Sequence, residues 1–242
     1  MNLILLHPKD YIDEHRVRLN DYRQQHVRHV HRAVVGDSLR VGDLNGKMGT
    51  GRVTSLGDTF LEMTVECSES PPEPVPLMLL LALPRPKVLK RVLLTATTLG
   101  IKEIVLLNSW RVDKSYWGSP ALGSQQIDRQ LITGLEQARD TMLPQVSIRS
   151  RFKPYVEDEL AQIVQHGSAY VAHPQAAHPC PALPCDPTTD QQIILAVGPE
   201  GGFIPYEIEK LVEVGFVSVE IGERILRVET AITRLVSRLL PY

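Results

Sequence analysis

The 242-residue sequence is short of cysteine, of long apolar runs and of net charge, and each shortage narrows what the protein can be. Three cysteines, Cys67, Cys180 and Cys185, are an odd number and too few for a disulfide framework, so a reducing, cytoplasmic setting is expected. No window reaches the ~18 consecutive apolar residues of a membrane span. The opening Met1-Asn2-Leu3-Ile4-Leu5-Leu6-His7-Pro8 is apolar but too short for a secretory signal, and it lacks a basic flank. Lys and Arg number 26 against 28 Asp and Glu, for a net charge of −2. The chain is therefore no global polycation, and any nucleic-acid contact must come from local patches.

Several common catalytic signatures are also missing. There is no Gly-x-Gly-x-x-Gly, no glycine loop followed by Lys-Ser or Lys-Thr, no Gly-x-Ser-x-Gly elbow and no ordered Ser-His-Asp set. His173, His178, Cys180 and Cys185 are irregularly spaced among prolines with no second cysteine pair, so no metal site is expected. Nothing basic lies within helical reach of Cys67 to activate it. No internal repeat is visible.

What is present falls into two parts. Pro71, Pro72, Pro74 and Pro76 form a stiff linker over 71–76, because such a run continues neither a helix nor a central strand. Residues 1–70 read as a small β unit, with strands near 3–6, 16–19, 38–41, 49–55 and 60–66. Asn45-Gly46 marks a hairpin at which both positions would take positive φ. A helix over 21–34 interrupts this set, with Val27, Val30 and Val34 as its apolar stripe. A cluster of Arg16, Arg18, Arg23, Arg28 and Arg32, with four histidines and the lone acid Asp21, lies between His15 and Arg32. It is either a solvated face or an RNA-docking surface, and the β unit is either a docking module or a structural appendage.

Residues 77–242 alternate strand and helix, which points to a mostly parallel α/β sheet. Strands are expected at 77–83, 103–107, 169–172, 193–197 and 217–221. Helices are expected at 87–99, 125–141, 156–165, 206–214 and 229–240, with Gly100 as a left-handed cap.

Two strand–turn–helix corners stand out. The first is Ile193-Ile194-Leu195-Ala196-Val197-Gly198-Pro199-Glu200-Gly201-Gly202-Phe203. Its glycines expose backbone N–H groups before a helix opening at Pro205, a setting for a polar or anionic ligand. Glu200 places a carboxylate there with no packing reason. The second is Ile221-Gly222-Glu223-Arg224-Ile225-Leu226-Arg227-Val228-Glu229-Thr230-Ala231, an apolar pair among charges suited to a flat heteroaromatic ring. Glu229-Thr230 serves equally as the acidic first turn of the last helix. Gly201 and Gly222 would allow a ligand close to the backbone.

These two segments resemble the SPOUT methyltransferases, and more closely the ribosomal small subunit methyltransferase E family, which makes N3-methyluridine in 16S rRNA. The similarity extends to Ala82-Leu83-Pro84, Ala96-Thr97, Leu99-Gly100, Glu136-Gln137 and Pro144, and in the first unit to His26, Val30, Arg32, Gly36 and Asp37. The resemblance implies a C-terminal SPOUT domain with a trefoil knot and parallel sheet, an N-terminal PUA-like β-barrel, and a cytoplasmic homodimer that acts on 16S rRNA or the small ribosomal subunit. It implies S-adenosylmethionine held by Ala172, His173, Val197, Gly198, Glu200, Gly201, Gly202, Ile221, Gly222, Arg224, Ile225, Leu226 and Thr230. Arg227 would stabilise charge on the target base, with Glu200 or Glu229 as base or orienting group, and Arg23, Arg28 and Arg32 would meet RNA phosphates. Thr95 and Thr98 replace the family's usual Lys and Glu, and Arg139-Asp140 replace a Gly-Arg pair. These departures leave open the same chemistry on a different RNA site, or an inactive RNA-binding accessory protein.

Overall fold

The protein is described here by a computed structural model covering residues 1–182 and 191–240. It divides into two compact units, Met1–Glu73 with Ile132–Leu143, and Pro74–Leu131 with Pro144–Tyr242. The division falls beside the proline linker, but Ile132–Leu143 belongs with the first unit, which a single boundary in the sequence does not convey. Leu135 packs with Leu3 and Leu5. The carbonyl of Glu136 accepts the N–H groups of Asn2 and Leu3 at 2.9 and 3.0 Å.

The first unit is a five-stranded sheet of β1 (Ile4–Leu6), β2 (Arg16–Leu19), β3 (Ser38–Asp43), β4 (Met48–Leu56) and β5 (Leu61–Glu69). Its order is β1-β3-β4-β5-β2, antiparallel except where β1 runs parallel to β3. Alternation along the strands buries Val17, Leu19, Leu61, Met63 and Val65 in one core. The β3–β4 hairpin forms where expected, yet only Asn45 takes positive φ, at 60°. Gly46 N–H instead closes a turn on Asp43 O at 2.8 Å.

The helix of this unit corrects the sequence reading. It is α-helical only over Tyr22–His26 and continues as a π turn, Val27–His31, before Arg32 enters the left-handed region at φ 54°. The wider i→i+5 turn moves the register by a residue. Val27 is buried while Val30 and Val34 face solvent, so the expected stripe does not exist.

The second unit is a seven-stranded sheet of β6 (Leu77–Ala82), β7 (Glu103–Leu107), β8 (Gln145–Arg149), β9 (Gly167–Ala172), β10 (His178–Pro179), β11 (Gln192–Val197) and β12 (Val217–Glu220). All its pairings are parallel, in the order β10-β12-β9-β11-β6-β7-β8. The interior strands β6 and β11 are continuous apolar runs, as a sheet covered on both faces requires. The edge strands β8 and β10 are polar and partly exposed, which hid them from a pattern search. Helix Pro86–Thr98 ends before Gly100 at φ 82°, the expected cap. Helix Ser124–Ala138 ends at Arg139 with φ 57°, a conformation that a glycine adopts more readily. Helices Pro205–Glu213 and Val228–Leu239 follow β11 and β12. No helix among the described residues is long and apolar enough to cross a membrane.

Candidate active site

Three adjacent strands of the second unit end level. Val197 of β11 and Val219 of β12 both register with Ala172 of β9. The chain leaves each strand at its C-terminal end, so the loops after Ala172, Val197 and Glu220 converge where open parallel sheets hold ligands. They enclose a cavity of about 500 Å³.

The first corner is shaped by its glycines. A Cβ on Gly198 would lie 2.9 Å from the nitrogen of Phe203 and 3.0 Å from the Cα of Gly202, so only glycine allows this turn. Gly202 N–H closes it on the carbonyl of Pro199 at 2.8 Å. Gly202 itself has φ 71° and no atom within 4 Å of the side-chain position it leaves vacant. Gly198, Glu200 and Gly202 line the cavity, with Val197 below them.

Gly201 does not. Its vacant side-chain position faces Arg111, whose Cδ is 3.1 Å away, and its carbonyl accepts a hydrogen bond from Arg111 Nη1. The idea that Gly201 makes room for a ligand is therefore corrected, and Gly202 has that geometry instead.

In the second corner Gly222 has φ 113° and donates its N–H to the carboxylate of Glu220. Ile221, Gly222, Arg224, Ile225 and Leu226 line the cavity, with Ala172 and His173 contributed by the β9 loop. Ile225 is 78% exposed, an unusual setting for a large apolar side chain. Thr230 lies on the last helix outside the lining.

Arg227 caps that helix through its carbonyl, which accepts Ala231 N–H at 2.8 Å. Arg227 lines the cavity, and its guanidinium has no ion-pair partner among the described residues. Glu200 Oε1 accepts the backbone N–H of Arg85 at 3.1 Å, and Glu229 pairs with Arg91 at 3.1 Å. Each carboxylate thus ties a corner to helix Pro86–Thr98. Arg85 and Arg91 also line the cavity, and the sequence reading missed them. The available signal was Pro86, which marks a helix start directly after an apolar parallel strand.

Among the described residues no group of three or more His, Cys, Asp or Glu side chains could hold an ion. His178 is exposed on β10, and Cys180 is buried, its N–H on Glu220 O at 2.7 Å and its carbonyl on Arg238 Nε at 2.9 Å. Cys185 lies outside the described residues. Burial, with Asp43 beside it, pushes the Cys67 thiol up to about 11, which keeps it from acting as a thiolate.

In the first unit the three expected phosphate ligands part company. Arg23 is 2% exposed and bonds Asp10 at 2.6 Å and Asp21 at 2.7 Å. Burial alone would disfavour its charge, but the hydrogen bonds to Asp21 and Asp10 outweigh that and hold its pKa above the usual arginine value. It is a structural ion, out of reach of RNA, and its place in the docking set is withdrawn. Arg28 is half-exposed beside Asp58, and Arg32 is exposed.

Sheet, corners and cavity together define an α/β enzyme domain. The chain belongs to the RNA methyltransferase domain family, whose model matches residues 71–240. It is similar to the ribosomal RNA small subunit methyltransferase E of Treponema pallidum, at 26% identity over 96% of this chain and 87% of that protein. The Borreliella burgdorferi protein, ribosomal RNA small subunit methyltransferase E 1, is 25% identical over 96% and 94%. In fold it matches a ribosomal RNA small subunit methyltransferase E from Neisseria gonorrhoeae bound to S-adenosyl methionine. That match has a TM-score of 0.75 at 22% identity and covers 98% of this chain and 94% of the other. The family recognised from the two corners is thus the one found.

Proposed function

We propose that the chain methylates N3 of a uridine in small-subunit ribosomal RNA, with S-adenosylmethionine seated in the cavity at the ends of β9, β11 and β12. The observation that carries this reading is the convergence of the two glycine corners on one cavity, with Arg227 at its edge and unpaired among the described residues. The volume, about 500 Å³, suits a cofactor-sized ligand. The donor set fits too. Glu200 and Glu229 supply negative charge for a cationic ligand, Gly202 leaves its side-chain position open, and Val197, Ile221, Ile225 and Leu226 offer apolar surface for a ring. When bound, S-adenosylmethionine supplies an electrophilic methyl group on a sulfonium centre. The trefoil knot, the PUA-like character of the first unit and the homodimer belong to the same reading. Exposed Ile225 is in keeping with a second copy completing the site.

Within this reading the protein's work is electrostatic and positional. Uracil N3 must lose its proton, which leaves negative charge shared with the neighbouring carbonyl oxygens. The forked donors of Arg227 suit that charge. Glu200 and Glu229 each keep one carboxylate oxygen engaged, so they serve best to orient, with their second oxygens left to accept a proton. Asp140 does not point to a different RNA, because it is buried and accepts Met142 N–H at 2.9 Å, a structural task. Incubating small subunits from a deletion strain with the chain and S-adenosylmethionine tests the reading. Nucleoside mass spectrometry should then gain N3-methyluridine, and a different methylated nucleoside, or none, would overturn the assignment.

Two further outcomes follow from the geometry. A side chain at Gly202 would project into open space at the cavity and force a β-branched residue to positive φ, so Gly202→Val should lower cofactor affinity at least about tenfold by calorimetry. Gly201→Ala should leave that affinity near wild type, since its methyl group meets Arg111. Equal losses in both would return Gly201 to the site. Arg28→Ala with Arg32→Ala should weaken RNA binding and flatten its salt dependence. For single strands the log–log slope should become shallower by about 0.7 for every phosphate the pair had neutralised. An unchanged slope would make the basic cluster a solvated face.

A further inference from the structure

The second unit holds another concavity, of about 550 Å³, which the methyl-transfer reading does not use. Both tryptophans of the chain, Trp110 and Trp117, line it with Phe152 and Tyr206. Trp110 is 80% exposed, although its backbone is fixed by a 2.7 Å hydrogen bond from its N–H to the buried carboxylate of Glu207. Trp117 is held by its indole N–H, which donates to Asn108 Oδ1 at 3.0 Å. Beside them the hydroxyl of Ser109 is buried and has no hydrogen-bond partner among the described residues. Lys114 and Lys153 also line the concavity, Lys153 with Glu157 3.8 Å away and its side chain still largely exposed.

An exposed indole on a fixed backbone is poorly placed in water, and a buried hydroxyl without a partner is costly. One ligand relieves both: a flat ring with a polar edge, attached to an anionic chain that the lysines can meet. That is the chemistry of an unpaired nucleotide, and stacking on aromatic faces beside basic groups is how single-stranded RNA is held.

We propose that this concavity binds an unpaired base of the substrate RNA, next to the nucleotide that is methylated, with Trp110 as the stacking platform and Ser109 reading the edge of the base. The proposal rests on the chain acting on RNA, as read above. Continuity with the first cavity favours RNA over another occupant. Gly198 and Gly202 line the first cavity, and Ile204, Tyr206 and Glu207, two to five residues past Gly202, line the second. The Trp110 loop is stitched to this same segment twice, through Arg111 on Gly201 O and through Trp110 N–H on Glu207. One polynucleotide strand running past this segment would meet both sites.

The test uses the full chain with Trp117→Phe, which leaves Trp110 as the sole tryptophan, and a labelled single-stranded RNA containing uridine. RNA binding, followed by anisotropy, should quench Trp110 fluorescence. Trp110→Ala should weaken RNA binding about tenfold or more, Trp110→Phe should restore most of it, and S-adenosylmethionine affinity should not move in either. Normal RNA affinity in Trp110→Ala, with the single-tryptophan chain binding RNA unquenched, would sink the proposal while the methyltransferase reading stands. Loss of a dimer in Trp110→Ala by sedimentation, with RNA affinity intact, would also overturn it by giving the surface to a second copy. A wild-type chain that binds S-adenosylmethionine but no RNA would overturn the substrate reading and this proposal together.

Discussion

Arg23→Met should destabilise the first unit by about 3–5 kcal/mol, the range for removing one partner of a buried ion pair. The substitution leaves Asp10, itself 7% exposed, as a buried carboxylate without its cation, held only by the His7 N–H at 2.7 Å. It also strips Leu5 O of its donor, Arg23 Nη1. Asp21 suffers less, because its carboxylate is partly exposed and keeps the backbone N–H at position 23 as an N-cap partner at 3.0 Å. At roughly 4–8 °C per kcal/mol for a domain of this size, the melting midpoint of the unit should fall by more than about 10 °C. Hydrogen exchange of β1 and β2 would localise the loss. Replacing both partners, Arg23→Met with Asp10→Leu, should recover most of the stability, since apolar groups of similar volume often replace a buried pair without loss. A single variant less than about 1 kcal/mol below wild type would show that Arg23 is not a buried anchor.

This arginine also marks where the sequence was and was not readable. A charge count cannot tell a buried guanidinium from an exposed one, and the partner that buries Arg23, Asp10, lies 13 positions earlier in an unrelated turn. The stripe Val27, Val30, Val34 failed for a similar reason, since nothing in those residues announces a π turn. Strands β6 and β11 were legible because burial on both faces demands an unbroken apolar run, a local property. The two corners were legible because turns at Gly198 and Gly222 need glycine at fixed offsets from a strand end. Which neighbouring glycine faces the cavity was not, as φ at Gly201 and Gly202 is set by the loop as a whole. The Trp110 concavity draws its walls from segments at 108–117, 152–153 and 204–207, which only the parallel sheet brings together. Arg85 and Arg91 were missed because helical position alone gives no hint that Glu200 and Glu229 lie opposite.

Arg227→Ala should lower methyl transfer by about two orders of magnitude or more, the scale for loss of one preorganised donor to a developing negative charge. Four arginines line the cavity, Arg85, Arg91, Arg224 and Arg227, so the choice among them has to be argued. Arg91 is engaged by Glu229. Arg85 belongs to the start of helix Pro86–Thr98, where its backbone N–H already holds Glu200. Arg224 lies in the exposed loop beside Ile225, two residues past Gly222. Arg227, like Arg85, combines a side chain without an ion-pair partner among the described residues with a backbone fixed as a helix N-cap, and of the two it is Arg227 that stands in the second glycine corner. Preorganisation requires that combination: a rooted backbone and a charge that no protein group has already claimed. Cofactor affinity should change little, because the target base, and not the cofactor, is the proposed contact. Arg227→Lys should recover only part of the rate, since a single ammonium cannot reproduce the fork. Single-turnover methylation under saturating S-adenosylmethionine, set beside calorimetric affinity, separates the cases. If turnover and cofactor affinity fell together by the same factor, Arg227 would be holding the corner at 221–227 in shape, and charge stabilisation would pass to Arg224 or Arg85.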